Sequence, residues 1–189
     1  MTDLSQKLQY LVDRQEILDC IYRYPRALDR HDDELLASVF HDDAIDNHGR
    51  WVGGREEFVQ WANHECHNKL DAHMHHITTH NCEIDGDVAH TESYVMFVHR
   101  YKDGETVHVA GGRYVDRLEK RDGEWRISLR RLVLDYRYLA DGKIFGDWDG
   151  YLKGTQDLTD ISYERPLELP AELREELEQR GVSAGTGAR

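Results

Sequence analysis

Basic residues are in deficit in this chain of 189 residues: 24 Lys and Arg stand against 37 Asp and Glu, a formal net charge of −13 with the 12 histidines counted as neutral. Binding to a phosphate backbone needs clustered cations that displace counterions, so nucleic acid is not an expected partner. No apolar run approaches the roughly 18 residues of a membrane-spanning helix. The opening MTDLSQKLQY has no basic stretch followed by an apolar core, so no secretory signal and no membrane partner are expected, and the expected location is cytoplasmic. Cysteine is scarce. Cys20, Cys66 and Cys82 cannot all pair and lack CxxC spacing, which fits a reducing compartment. There is no internal repeat, no GxSxG nucleophile motif and no basic context beside a cysteine, and GGR at 53–55 and 111–113 is too short to read as a phosphate loop.

At roughly 150 residues per domain the length predicts one domain with a tail, and a chain of this size removes roughly 70% of its unfolded surface from water. Apolar residues recur at helical spacing from about Leu4 to Arg30, where Leu11, Ile17, Leu18, Ile21, Tyr22 and Leu28 form a stripe and Asp13, Arg14, Glu16 and Arg23 lie elsewhere. Asp3 or Ser5 is placed to cap this helix. Pro25 predicts a kink, because it removes a backbone donor and clashes with the preceding turn. A short helix over Asp33 to Phe40 and a third over about 55–66, after the Gly53-Gly54 break, complete the helical part.

From Ala72 the texture changes. Asp85-Gly86, Asp103-Gly104 and Asp122-Gly123 each lie between runs rich in Val, Ile, Thr, Tyr and Phe, the hairpin signature. They predict four long strands, about 73–84, 88–101, 106–120 and 124–138, with a bend at Gly111-Gly112 and a further short strand near 44–48. Helices followed by strands is an α+β order: a curved meander with helices on one face, whose interior can form a pocket. After Tyr138 the pattern dissolves into DGKIFGDWDGYLKG. A last helix is expected over about 171–180, and the terminal GVSAGTGAR has no reason to be ordered.

The histidines are densest between His64 and His80: His64, His67, His73, His75, His76 and His80. On a strand, His73 and His75 share a face with Ile77 and Thr79, while His76 and His80 point the other way unless a bulge intervenes. One or two of these imidazoles are candidates for the pocket interior, although a half-exposed strand also tolerates histidine on its solvent side. Two histidines on one strand face could begin a zinc or iron site, but a third ligand is needed, and Thr78, Thr79 and His80 stand where a cupin pattern would require glutamate. No metal site is expected. In the segment RYPRALDRHDDELLASVFHDDA, Asp32 and Asp33 read as caps of the second helix. Asp29, at the last apolar turn beside Leu28, is less easily explained that way.

Tyr24-x4-Asp29-x2-Asp32-x-Glu34-Leu35, HDDA at 41–44, MHHITT at 74–79, IDGDVAHTESY at 84–94 and RDGEWRI followed by Arg130-Arg131 together resemble the SnoaL-like family of the NTF2-like superfamily, over residues 5–140 or about three quarters of the chain. The resemblance implies an α+β NTF2-like cone: a strongly curved, mainly antiparallel sheet wrapped by N-terminal helices around a deep, mostly apolar pocket. It implies a domain over 1–140 and an extension over 141–189, whose Phe145, Trp148 and Tyr151 would cover the pocket mouth or join an oligomer interface. The pattern departs from many relatives at Thr79, where they carry Asn, and at Pro25.

Within the family the pattern is similar to scytalone dehydratase, bile acid 7α-dehydratase and hexachlorocyclohexane dehydrochlorinase, lyases that need no cofactor and use an Asp–His dyad. The resemblance therefore implies Tyr24, Asp29, His75 and Arg130 as catalytic residues and His76 and His99 as substrate-binding ones, with His76 the alternative dyad member if the register differs. It implies no metal and no cofactor. A carboxylate beside an imidazole fixes its tautomer and stabilises the imidazolium that forms. With an ordinary imidazole pKa near 6.5, such a dyad is a general base at neutral pH. Tyr24 would hydrogen-bond a carbonyl or leaving oxygen, and Arg130 would stabilise developing negative charge. The expected function is a cofactor-independent lyase, of dehydratase, elimination or C–C-cleaving type, acting on an apolar ring-containing small molecule such as a steroid, polyketide or aromatic compound. The alternatives are a non-catalytic binding or structural subunit, such as a ring-dioxygenase β subunit, and an isomerase or cyclase. A homodimer or homotrimer is expected.

Overall fold

A computed structural model describes residues 4–146 and 149–182; Asp3, Trp148, the His67 side chain and residues 183–189 lie outside the described set. Helix α1, Leu4–Asp29, continues through Pro25. The missing proline N–H removes one bond only four residues before the helix ends, which does not break it. The buried face is Ile17, Cys20, Ile21, Tyr24 and Leu28, at helical spacing. The expected stripe needs correction at its edges. Leu11 and Tyr22 are exposed, and Asp13 turns inward instead, where Trp125 Nε1 and Lys120 Nζ donate to its carboxylate at 2.9 and 2.7 Å. Ser5 lies within the helix.

Helix α2, Asp33–Ser38, is capped by Asp32, whose carboxylate accepts from the Leu35 N–H at 3.0 Å. It stops short of Phe40 because Phe40 opens strand β1, Phe40–Asn47. Strand β2, Val52–Gly54, forms on the stretch that reads in sequence as a chain break, and helix α3, Arg55–Lys69, follows directly. The long strands are β3, Leu70–Asp85, β4, Val88–Tyr101, β5, Thr106–Arg121, and β6, Glu124–Asp141. They fall where the turn signals place them. Gly86, Gly104, Asp122 and Gly123 all take positive φ, the conformation that Asp-Gly and similar hairpin turns require.

The six strands form one sheet in the order β2-β1-β6-β5-β4-β3, antiparallel except for the parallel β1–β6 pair. This is the curved α+β architecture of NTF2-like proteins. Its bend lies at Gly111-Gly112, where the β5–β6 register shifts. A Cβ on Gly112 would lie 2.0 Å from the Val133 carbonyl oxygen, so only glycine permits this approach of the two backbones. Helices α1 and α3 cover the concave face, and the core lies between them and the sheet. No helix among the described residues is long and apolar enough to cross a membrane.

The segment after β6 includes helix α4, Ala171–Gln179. The part preceding α4 packs on the α1–α2 junction: Tyr163 Oη donates to Asp32 at 2.9 Å, Arg30 pairs with Asp160 at 3.2 Å, and the Arg26 guanidinium lies 4.4 Å from the Tyr163 ring centroid. None of the described residues in 141–182 lines the cavity. Of the residues expected to cover the pocket or join an interface, Phe145 packs beside the Arg100 guanidinium, Tyr151 is exposed, and Trp148 lies outside the described residues.

Candidate active site

A mostly apolar cavity of about 230 Å³ opens between the concave face of the sheet and helices α1 and α3, walled by Leu28, Phe58, Trp61, Val95, Phe97, Tyr114 and Leu132. An apolar cavity of about 150 Å³ holds benzene, so this one has room for more than a single ring. Hydrogen-bonding side chains interrupt the apolar wall, among them Tyr24, His48, His75 and His99.

Asp29 closes α1 with its carboxylate directed at β3. Its Oδ1 lies 2.6 Å from His75 Nδ1, and its Oδ2 accepts from the His75 backbone N–H at 3.0 Å. One carboxylate thus holds both the strand and the ring. A carboxylate oxygen at that distance only accepts, so Nδ1 carries a proton, and in the neutral ring the lone pair is the one on Nε2. Nε2 has no partner among the described residues, and the ring lines the cavity, stacked on Phe97 with centroids 4.1 Å apart. The dyad expected from sequence is present as geometry, with His75 as its member.

The neighbouring histidines do other things. His73 is buried: its Nε2 lies 3.1 Å from the Leu28 carbonyl, to which it donates, and its Nδ1 lies 3.0 Å from Gln156 Nε2. Burial lowers its pKa to about 4, against the opposing pull of Asp29. His76, expected to bind substrate, is absent from the cavity lining, because strand alternation turns it away from His75. His80 turns inward and contacts Ser93 Oγ at 2.9 Å, since the β3–β4 register shifts between Ile77 and His80. His99 does line the cavity. Its ring is buried against Phe97 and His108, and burial first, then His108, brings its pKa to about 4.

Neutral buried histidines make stability depend on pH. In the unfolded chain His73 and His99 titrate near 6.5, so between about pH 4 and 6.5 the unfolded state binds more protons, and stability falls as pH drops through that window. Each ring contributes at most about 1.4 kcal/mol per pH unit there. Urea unfolding at about pH 7 and about pH 5 measures it, with the His73→Gln variant expected to narrow the difference. Equal stability of the wild type at both values would show that the rings are not held neutral.

Tyr24 projects from α1 into a cluster of rings, T-shaped to Tyr114 at 5.3 Å and stacked on Phe58 at 6.1 Å. Its hydroxyl is buried without a partner among the described residues, and burial raises its pKa well above the ordinary value. It therefore stays protonated and is available as a donor. Arg130, expected at the reacting centre, is fully buried beneath this layer and is absent from the cavity lining. Its Nε and Nη2 donate to the two Asp116 oxygens at 2.8 and 2.6 Å, and its guanidinium carbon lies 4.0 and 4.2 Å from the Tyr24 and Tyr114 ring centroids. Arg130 supports the tyrosines from below.

No cysteine competes as a nucleophile. Burial raises the Cys20 thiol to about 11 and the cavity-wall Cys66 thiol to about 12, so neither is a thiolate at neutral pH. Among the described residues, no three His, Cys, Asp or Glu side chains are grouped as metal ligands.

The family model of the SnoaL-like domain matches residues 9–131. The chain belongs to the SnoaL-like family. Three solved structures show the breadth of the likeness. A scytalone dehydratase candidate from Novosphingobium aromaticivorans has 23% identity and a TM-score of 0.63, over 68% of this chain and 88% of that one. The hexachlorocyclohexane dehydrochlorinase LinA-type3 from Novosphingobium barchaimii has 22% identity and a TM-score of 0.66, over 71% and 94%. A Mycobacterium tuberculosis protein of unknown function has 29% identity and a TM-score of 0.60, over 67% and 74%. No curated protein matches the sequence at a significant level. In this SnoaL-like chain the cavity wall also carries His48, one member of a pair not foreseen from sequence. Asp46, on β1, and His48, just after it, lie 3.2 Å apart, carboxylate oxygen to Nδ1. The sequence signal was Asp46-x-His48 at the end of the short strand expected near 44–48, whose inner face was not assigned.

Proposed function

We propose that this SnoaL-like protein is a cofactor-independent lyase in which His75, held by Asp29, is the general base and Tyr24 the hydrogen-bond donor. The observation that carries the reading is the double grip of Asp29 on the ring Nδ1 and the backbone N–H of His75, which leaves Nε2 as the basic nitrogen on an apolar cavity wall. His75 Nε2 takes a proton from carbon, the electron pair forms the new double bond, and the leaving group departs with the electrons of its own bond. For dehydration, the imidazolium returns its proton to the departing oxygen. Positioned acid–base groups supply about 10²–10⁴ in rate, and orientation in the cavity supplies more. The apolar, ring-lined wall favours a ring-containing substrate.

The test is a panel of cyclic hydroxy-ketones and halocycloalkanes, incubated with the protein and followed by mass spectrometry for loss of water or hydrogen halide. Turnover present in the wild type and absent from His75→Ala is the expected result. Compounds that bind the wild type and the variant equally, with no product from either, would replace the lyase by a non-catalytic binding module. Isomerised product of unchanged mass would make it an isomerase.

Tyr24→Phe separates the tyrosine's two roles. Removing an unpaired buried hydroxyl costs little stability or adds some, so the melting temperature is expected to hold or rise. Loss of a donor aimed at developing charge costs about 10²–10³ in kcat. Full activity in this variant would remove the tyrosine from the chemistry.

A further inference from the structure

We propose that Asp46 and His48 form a second polar recognition point in the same cavity, and that the substrate is an apolar ring compound bearing an oxygen function at each end. Asp46 lies on β1 and His48 directly follows its last residue, Asn47, and the two side chains meet, with Asp46 Oδ1 3.2 Å from His48 Nδ1. Asp46 is 2% exposed. In sheet register it sits beside Arg130, but Arg130 directs its Nε and Nη2 donors at Asp116, and the side chain that meets Asp46 is the His48 ring at 3.2 Å. Its second oxygen, Oδ2, is buried with no partner among the described residues.

The tautomer argument repeats. Nδ1 donates to Asp46, and Nε2 is left over on a ring that lines the cavity between Phe58, Trp61 and Tyr114. Strands β6, β5 and β4 separate β1 from β3, so His48 and His75 stand toward opposite edges of the curved sheet, and the Tyr24 ring packs on Phe58 and Tyr114 between them. A wall with one anchored imidazole positions one polar group of a ligand. Two anchored imidazoles position a ligand with two. The proposal rests on the reading of this cavity as the substrate site, not on the reaction.

The test is isothermal titration calorimetry with p-phenylphenol, which has a hydroxyl at one end, and p,p′-biphenol, which has one at each end, on the wild type, His48→Leu and His48→Gln. Biphenol is expected to bind the wild type about tenfold more tightly than phenylphenol, the worth of one well-placed hydrogen bond. In His48→Leu that preference is expected to fall to the statistical doubling of a symmetric ligand. His48→Gln, which keeps a polar group beside Asp46, serves if the leucine variant does not fold. A wild-type ratio no larger than that doubling, a ratio unchanged in the variants, or no binding of either compound overturns the proposal. Because binding is read, failure of the lyase reading leaves this result standing, and an unchanged ratio leaves the lyase reading standing.

Discussion

Asp29→Asn is expected to lower kcat by about 10³–10⁴, while the circular dichroism spectrum stays that of the wild type. An aspartate that orients a catalytic imidazole contributes about 10⁴ in serine-protease triads, because the amide that replaces it supports the wrong tautomer. The same logic applies here with one addition. Asp29 accepts from both the Nδ1–H and the backbone N–H of His75, and an asparagine offers one accepting oxygen for the two. Its amide N–H₂ then faces either the strand N–H or Nδ1. If it faces Nδ1, the ring proton moves to Nε2 and the base is lost. His75→Ala is expected to fall as far, and the double variant no further than either single one, since residues that act as a unit are not additive. The measurement is kcat on any compound that the panel shows to be turned over. An Asp29→Asn variant retaining more than about a tenth of wild-type kcat would remove the dyad from the mechanism.

Arg130→Met is expected to act on stability. Breaking a buried ion pair by removing one partner costs about 3–5 kcal/mol, because the other charge stays buried and uncompensated. Here Asp116 would be left so, with Asp46 in register on the other side of position 130. Contact of the guanidinium with the Tyr24 and Tyr114 faces is lost as well. At about 2–4 °C per kcal/mol for a chain of this length, the melting temperature falls by roughly 6–20 °C. Arg130→Met combined with Asp116→Leu is expected to recover most of the loss, since a well-packed apolar pair replaces a buried ion pair at little cost. Thermal melts of the two variants decide it. A single variant that melts with the wild type would show that Arg130 is not the partner holding Asp116.

Arg130 also shows how sequence and structure divide the work. Its place on a long strand near the end of the family pattern was legible, and a pocket role was the natural expectation. Strand alternation put it on the inner face, yet depth along that face cannot be read from alternation. Cross-strand pairing with Asp116 and the tyrosine layer above decide that it lies under the cavity wall. His80 makes the same point through register. Period-two counting sends it outward, and one bulge after Ile77 brings it to Ser93. Asp46–His48 went unseen for a different reason. The parallel pairing of β1 with β6 is a long-range contact with no local signal.

The sequence by itself determined the four long strands, because Asp-Gly turns and apolar alternation are local and leave few alternatives, and it determined the SnoaL-like family by the order of its motifs. The resemblance also brought forward Tyr24, Asp29 and His75, while the residues alone marked only Asp29, a carboxylate at the last apolar turn of the first helix, and a cluster of strand histidines. Only the tertiary structure decided which polar groups face the cavity. Facing depends on registers, on one bulge and on which buried charges neutralise one another, and these are set by contacts between residues far apart in the chain.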